Sequence, residues 1–353
     1  MKIKLILLAI AAIVAGGTTS HSFAQGNNVI ADFISQNPDK SAIYMLQNGN
    51  VIADINADRK MPLASTVKII IAIEYAYQAA AGKIDPMQWI DTAELDKYYI
   101  RNTDGNAHPK WLSYMKAMTR LQNGKVQLQE VAKGMIDFSS NANTEYLLDL
   151  LGVDNVNKRL TALGLANHDS LYYFVSSLGV LNGKTVPELE QLSMQEYRAL
   201  SAEQHNKMKA EPTYKNNIVF LPLNVQRVWS DRLPAATAKD YVSVMQKINS
   251  RTYFDSSTQK HLSIMMERLM DNPANQQWLK HAGMKGGSTS WVLTKALYAT
   301  TTTGEATELA YFFNDLTDEE FEQLSMNMNS FELAVLTNRN GARDAIIKTL
   351  NGQ

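Results

Sequence analysis

Three short clusters in this chain set nucleophile, base and cation side chains at spacings that could do chemistry. The first is Pro62-Leu63-Ala64-Ser65-Thr66-Val67-Lys68-Ile69-Ile70-Ile71-Ala72-Ile73. It reads as the start of a helix, with Ser65 in the first turn or at the cap, where its oxygen can accept from an unpaired backbone N–H. The apolar run that follows has neither Gly nor Pro, as a helix buried on most sides requires. Lys68 comes three residues after Ser65, on the same helix face. An ammonium in such a helix is costly unless it finds partners or gives up its proton. A lysine amine beside a serine hydroxyl can then serve as its base. The plainer alternative is a serine cap beside a lysine that snorkels to water along its stem. Ser-x-x-Lys recurs at Ser113/Lys116 and Ser257/Lys260, so the apolar helix and the two later clusters are what single out Ser65.

The second cluster is Asp137-Phe138-Ser139-Ser140-Asn141-Ala142-Asn143-Thr144, between two helical patterns. Ser139 and Asn141 are two apart, so one short loop can present a hydroxyl and an amide to the same space. An ordinary cap before Glu145–Leu151 is the alternative, and Ser-x-Asn also occurs at Ser35/Asn37 and Ser325/Asn327. The third is Met284-Lys285-Gly286-Gly287-Ser288-Thr289-Ser290. Two glycines in a strand mark close approach by a ligand or a neighbouring backbone, and Lys285 beside them offers a cation to a carboxylate. A Gly-Gly turn is the alternative.

The elements that must position these residues follow from periodicity and punctuation. Residues 27–36 have a helical pattern. Residues 42–46 and 51–55 are β-rich runs around Gln47-Asn48-Gly49-Asn50, a strong hairpin signal. From about 65 to 240 the pattern is mostly helical, with loops at 101–109, 123–124 and 179–183. Residues 200–235 read as polar and irregular apart from Ile218-Val219-Phe220-Leu221. Helical patterns return at 235–248, 256–271 and 275–281. Residues 291–303 and 308–314 form a second hairpin about Gly304-Glu305. Thr317-Asp318-Glu319-Glu320 starts a helix with a capping box, and 331–350 is largely helical. The expected architecture is α+β: one antiparallel sheet flanked by terminal helices, from residues 25–64 and 240–353, with an inserted all-helical lobe from 65–239.

Composition narrows the classes. The chain has 353 residues, with 34 basic against 35 acidic, so nothing suggests a nucleic-acid footprint. Lys2 and Lys4, the apolar run 5–15 and the small residues around Ser22-Phe23-Ala24 read as a signal peptide cleaved after Ala24, which predicts a periplasmic protein. There is no cysteine, which excludes a cysteine nucleophile, a disulfide framework and a lipidated N-terminal cysteine. The six histidines show no ligand spacing. No metal and no other cofactor is expected, and the chain is expected to act as a monomer.

Ser-x-x-Lys on a helix, then Ser-x-Asn on a loop of a helical lobe, then Lys-Gly-Gly on a strand resembles the signature of serine β-lactamases and penicillin-binding proteins. The resemblance runs from about Val29 to the end, and is greatest to class A β-lactamases. It implies the β-lactamase/transpeptidase-like fold and a β-lactam or D-Ala-D-Ala-like substrate. It makes Ser65 the acylated nucleophile and Lys68 its base, helped to stay neutral by a second lysine nearby. Ser139 would pass a proton to the leaving nitrogen, and Lys285 would hold the substrate carboxylate. Asn141, Gly287, Ser288 and Thr289 would bind substrate, with the N–H groups of Ser65 and Ser288 as the oxyanion hole. Three positions depart from the pattern. Gly286 stands where Thr or Ser is usual, and Ser140 where Asp is common. The Glu-x-x-Leu-Asn loop that activates the deacylating water is matched best by Phe220-Leu221-Pro222-Leu223-Asn224, with Phe220 in the glutamate's place and Glu211 upstream as a weaker substitute. D,D-peptidase, esterase, penicillin-acylated binder and a non-catalytic exported protein that keeps only the fold stay open beside β-lactamase.

Overall fold

The computed structural model describes residues 28–219 and 221–352. The proposed signal peptide, 1–24, lies outside them. Helices of eight or more residues and strands of six or more are labelled in chain order. The described residues form two compact units. One holds 28–66, 235–255 and 266–352; the other holds 67–219, 221–234 and 256–265. The chain passes from the first to the second between Thr66 and Val67, and helix 256–265 joins the helical unit.

The sheet unit is built on strands β1 (Ser41–Gln47), β2 (Asn50–Ile55), β3 (Leu279–Ser288), β4 (Leu293–Thr301) and β5 (Ala306–Phe313). All pairs are antiparallel, in the order β2-β1-β5-β4-β3. The first hairpin turns at Asn48 and Gly49, with φ of 49° and 78°, which is why Asn-Gly is needed there. Strand β1 pairs along its length with the distant β5, from Ser41 opposite Phe313 to Gln47 opposite Thr307. Helices α1 (Val29–Gln36), α11 (Asp318–Thr337) and α12 (Ala342–Leu350) cover one face. Its core joins Ile30, Ile34, Ile43, Met45, Leu297, Leu309, Tyr311, Phe313, Phe321 and Phe331. Helix α9 (Ala238–Asn249) covers the other face, with Tyr241 edge-on to Phe312 at 5.8 Å. Thr317 caps α11 in a capping box with Glu320.

The helical unit contains α2 (Lys68–Ala80), α3 (Ala107–Ala117), α4 (Leu128–Asp137), α5 (Asn141–Leu151), α6 (Val153–Ala162), α7 (Met194–Ala210), α8 (Leu223–Asp231) and α10 (Ser256–Met266). Helix α2 is almost wholly buried and packs on α4, α5 and α6. Two expectations are corrected here. Residues 200–235 are irregular only in part: they carry the end of α7 and all of α8, with loop and a short 3-10 turn between them. The polar face of α7 hid its period, since only Tyr197, Ser201, Gln204, His205 and Met208 turn inward. Residues 275–281 are not a helix either. A single turn, Pro273–Gln276, gives way at Leu279 to β3, whose backbone pairs with β4. Too few residues lie there for periodicity to separate the two. The pairing of Trp89–Asp91 with Lys125–Gln127 inside the helical unit left no sequence signal. Among the described residues, no helix is long and apolar enough to cross a membrane.

Candidate active site

Ser65 lies in a 3-10 turn, Ala64–Val67, that runs directly into α2. It is not the cap of that helix, whose first turn has no side-chain cap. The preceding Ala64 has a φ of 46°, a left-handed conformation that costs a residue with a Cβ about 1–2 kcal/mol. Ser65 itself is partly exposed.

Lys68, the first residue of α2, is 0% exposed and does not snorkel. Its Nζ donates to Ser139 O at 2.8 Å, to Ser139 Oγ at 3.3 Å and to Asn141 Oδ1 at 2.9 Å. Burial lowers its pKa from the ordinary 10.5 to about 7, against the opposing pull of Asp104 and Glu145. Desolvation is the largest cause of that shift. An amine so placed can lose its proton near neutrality and accept another, as a general base must.

The partners of Lys68 are fixed by a tight junction between α4 and α5. The backbone N–H groups of Phe138 and Ser140 both reach back to Gly134 O, at 3.2 and 3.3 Å. Between them Ser139 takes a φ of 63°, a position where helices usually end on glycine. Ser140 then caps α5, its Oγ accepting from Asn143 N at 3.2 Å. Ser140 thus performs the capping that an aspartate would offer. The ring of His108 supports the junction from α3, with Nδ1 3.0 Å from Ser140 Oγ and 3.2 Å from Asn143 Oδ1. Burial lowers the pKa of His108 to about 4, so it is neutral. No sequence spacing flagged this histidine.

In the sheet unit the main feature is backbone contact. A Cβ on Gly287 would lie 2.4 Å from Ser65 N, 2.6 Å from Leu63 O and 2.7 Å from Thr66 N. All three are backbone atoms, so only glycine lets β3 lie against the Ser65 turn. The buried Thr294, opposite Gly287 on β4, ties the turn down. Its Oγ1 is 2.8 Å from Thr66 Oγ1, 2.8 Å from Leu63 O and 3.2 Å from Gly287 O. Thr294 was not foreseen, because a threonine in a strand carries no special signal. At Gly286 the nearest atom to an added Cβ is Thr294 O at 3.3 Å, so packing there does not demand glycine as it does next door. Lys285 is buried, 5% exposed, with Nζ donating to Gly286 O at 2.7 Å. Thr289 sits in the turn after β3, where its Oγ1 accepts from Trp291 N at 3.2 Å and its N–H donates to Val292 O at 3.0 Å. Ser288 ends β3 opposite Leu293.

The rival Ser-x-x-Lys pairs differ plainly from Ser65/Lys68. Ser113, Lys116, Ser257 and Lys260 are all exposed. Phe220 lies outside the described residues. Glu211 is exposed at the end of α7, where its Oε1 accepts from Thr213 Oγ1 at 2.9 Å, whereas the partners of Lys68 lie at the α4–α5 junction. Among the described residues, no group of three or more His, Cys, Asp or Glu is arranged to hold a metal.

A five-stranded antiparallel sheet covered by the terminal helices, with a helical unit from the middle of the chain, defines the β-lactamase/transpeptidase-like class. The chain belongs to the beta-lactamase enzyme family, whose profile matches residues 27–273, and so to the serine β-lactamase and penicillin-binding-protein superfamily. Solved structures agree in fold. A class A β-lactamase representative from Bacteroides cellulosilyticus is 15% identical at a TM-score of 0.55, with 92% of this chain and 98% of that one covered. A β-lactamase from Sphaerobacter thermophilus is 18% identical at 0.55, covering 88% and 97%. A mutant of PBP-A, solved as an acyl-enzyme complex with penicillin G, is 18% identical at 0.50, covering 86% and 94%. No curated protein matches the chain.

Proposed function

We propose that this chain is an exported serine hydrolase that opens the β-lactam amide through an acyl-enzyme on Ser65. Lys68 takes the proton from Ser65 Oγ as that oxygen bonds to the lactam carbonyl carbon, and the carbonyl electron pair moves onto its oxygen. The N–H groups of Ser65 and Ser288 receive that oxyanion. On collapse the C–N bond breaks, and the ring nitrogen takes a proton by way of Ser139. Asn141 holds the substrate's amide side chain. Lys285, with Gly287, Ser288 and Thr289 beside it, receives the substrate carboxylate. Water then releases the acyl group. Export follows from the N-terminal segment 1–24. The observation that carries the reading is Lys68: wholly buried, bonded to Ser139 and Asn141, and held near pH 7.

Intact-mass spectrometry after brief exposure to benzylpenicillin tests it. A penicilloyl adduct is expected on the wild type, lost in Ser65→Ala and retained in Ser113→Ala and Ser257→Ala. No adduct and no turnover of a chromogenic cephalosporin would sink the reading. A second reading, a penicillin-acylated peptidase or binder with slow turnover, is favoured by Phe220 in the usual glutamate's place and by the exposed position of Glu211. The PBP-A acyl-enzyme is a relative in this fold. An adduct that lasts for hours selects this second reading; rapid cephalosporin hydrolysis selects the first. If Glu211 activates the water, Glu211→Gln slows turnover, whereas unchanged turnover removes it from the mechanism.

A further inference from the structure

Behind the acceptors of Lys68 stands a triangle of polar atoms: Ser140 Oγ, Asn143 Oδ1 and His108 Nδ1. All three side chains are buried. The hydroxyl accepts from Asn143 N at 3.2 Å and donates to Asn143 Oδ1 at 3.0 Å. The ring nitrogen lies 3.0 Å from the hydroxyl and 3.2 Å from the amide oxygen. Asn143 Nδ2 donates to Val131 O on α4 at 3.0 Å, so the amide cannot turn its nitrogen towards the ring without losing that bond.

These contacts decide where the ring proton sits. Burial lowers the pKa of His108 to about 4, so near neutrality the ring carries one N–H. With that proton on Nε2, Nδ1 would be a bare acceptor. Even with the Ser140 hydroxyl turned to it, Asn143 Oδ1 would face two lone pairs and no donor. The Nε2 N–H would be buried without an acceptor among the described residues. With the proton on Nδ1, both oxygens gain a donor and only a lone pair on Nε2 is left unpaired.

We propose that His108, as the Nδ1–H tautomer, is a positioning residue that holds the Ser139–Asn141 turn in place for the acylation of Ser65. This rests on the reading of Lys68 as the base for Ser65. The chain of contacts is short. His108 ties down Ser140, and Ser140 lies between Ser139 and Asn141, the two residues that receive Lys68. Ser140 has a single side-chain oxygen, and the ring N–H is what joins it to α3. His108 is itself well anchored, since the two carboxylate oxygens of Asp104 accept from Ala107 N and His108 N, each at 3.1 Å. Gly134, whose carbonyl receives Phe138 N and Ser140 N, lets α3 and α5 both close on α4. A Cβ there would lie 2.5 Å from Trp111 Nε1 on α3 and 2.5 Å from Asn143 Nδ2 on α5.

Two-bond ¹H–¹⁵N correlation on protein labelled with ¹⁵N-histidine reads the tautomer, the His108 signal being assigned by its loss in His108→Asn. A protonated Nδ1 and a bare Nε2 are expected near neutral pH, and the reverse overturns the proposal. His108→Leu removes the N–H, whereas the amide nitrogen of His108→Asn stands as many bonds from Cα as Nδ1 does. Penicillin acylation is expected to slow by about 10–100-fold in His108→Leu and to stay within about threefold of wild type in His108→Asn. The Lys68 midpoint is followed by NMR titration of protein labelled with ¹³C at lysine Cε, the signal being assigned with Lys68→Arg. It is expected to fall in His108→Leu, because acceptors that favour the ammonium are drawn away, and to hold in His108→Asn. A midpoint that stays put or rises in His108→Leu means that the turn has kept its place or merely loosened to let water in, and either overturns the proposal. So does wild-type acylation in His108→Leu, or an equal loss in the two variants. If His108→Leu does not fold, His108→Gln, whose amide nitrogen stands one bond further out, takes its place with the same outcomes. If the wild type forms no penicillin adduct, the proposed function fails, while the tautomer and the Lys68 midpoint still decide His108.

Discussion

The lysine cluster of the helical unit and the glycine contact of the sheet unit are built on different principles. Around Lys68, polar groups on three elements are drawn together by hydrogen bonds in a dry setting, and the result depends on charge. Around Gly287, two stretches of backbone touch, and the result depends on volume. A cluster of the first kind should answer to pH and to changes of charge that preserve shape. A contact of the second kind should answer to a single methyl group and be indifferent to pH.

Substitutions can break or sharpen this contrast. Lys68→Met removes the amine but keeps most of its volume. Penicillin acylation should fall by about 10²–10⁴-fold, the usual weight of a general base, while the thermal melt stays cooperative. Acylation at the wild-type rate would remove Lys68 from the mechanism. Gly287→Ala forces a methyl against three backbone atoms. A loss of about 3 kcal/mol in urea unfolding is expected, nearly the same at pH 6 and pH 9. A loss below about 1 kcal/mol would show that the turn can yield. Thr294→Val deletes the hydroxyl that ties Leu63 and Thr66 to β4, and should cost about 1–2 kcal/mol.

The pH response of stability sharpens the other side. Lys68 binds its proton more weakly in the folded chain, with a pKa of about 7 against 10.5. Between those values the unfolded chain carries a proton that the folded chain lacks, so stability rises with pH. Relative to Lys68→Met, the wild type should gain up to about 1.4 kcal/mol per pH unit across that window, and nothing below it. Parallel curves for the two proteins would contradict the burial argument. The smallest effect is expected at Gly286→Ala, within about 0.5 kcal/mol of wild type, because its Cβ meets nothing closer than 3.3 Å. A loss like that of Gly287→Ala would erase the distinction between the neighbouring glycines.

Much of this was legible in the residues. Asn48-Gly49 named the first hairpin, Thr317 and Glu320 named the start of α11, and the unbroken Ile69–Ile73 run named a buried helix. Local chemistry fixes such features, since a turn or a cap needs only its own few residues. The polar helix α7 and the start of β3 escaped, because their identity depends on which partners cover them.

The types and order of Ser65, Lys68, Ser139, Asn141 and Lys285, and the need for a lysine to find partners in an apolar helix, belong to the sequence alone. Those partners belong to the tertiary structure. Ser139 is turned to a left-handed φ at the α4–α5 junction and brought to Lys68 from 71 residues further along the chain. Gly287 is required by a turn more than 200 residues before it. Spacing along a chain sets what a helix face or a hairpin can present. Burial, and the electrostatics that burial strengthens, exist only once distant segments exclude water from each other.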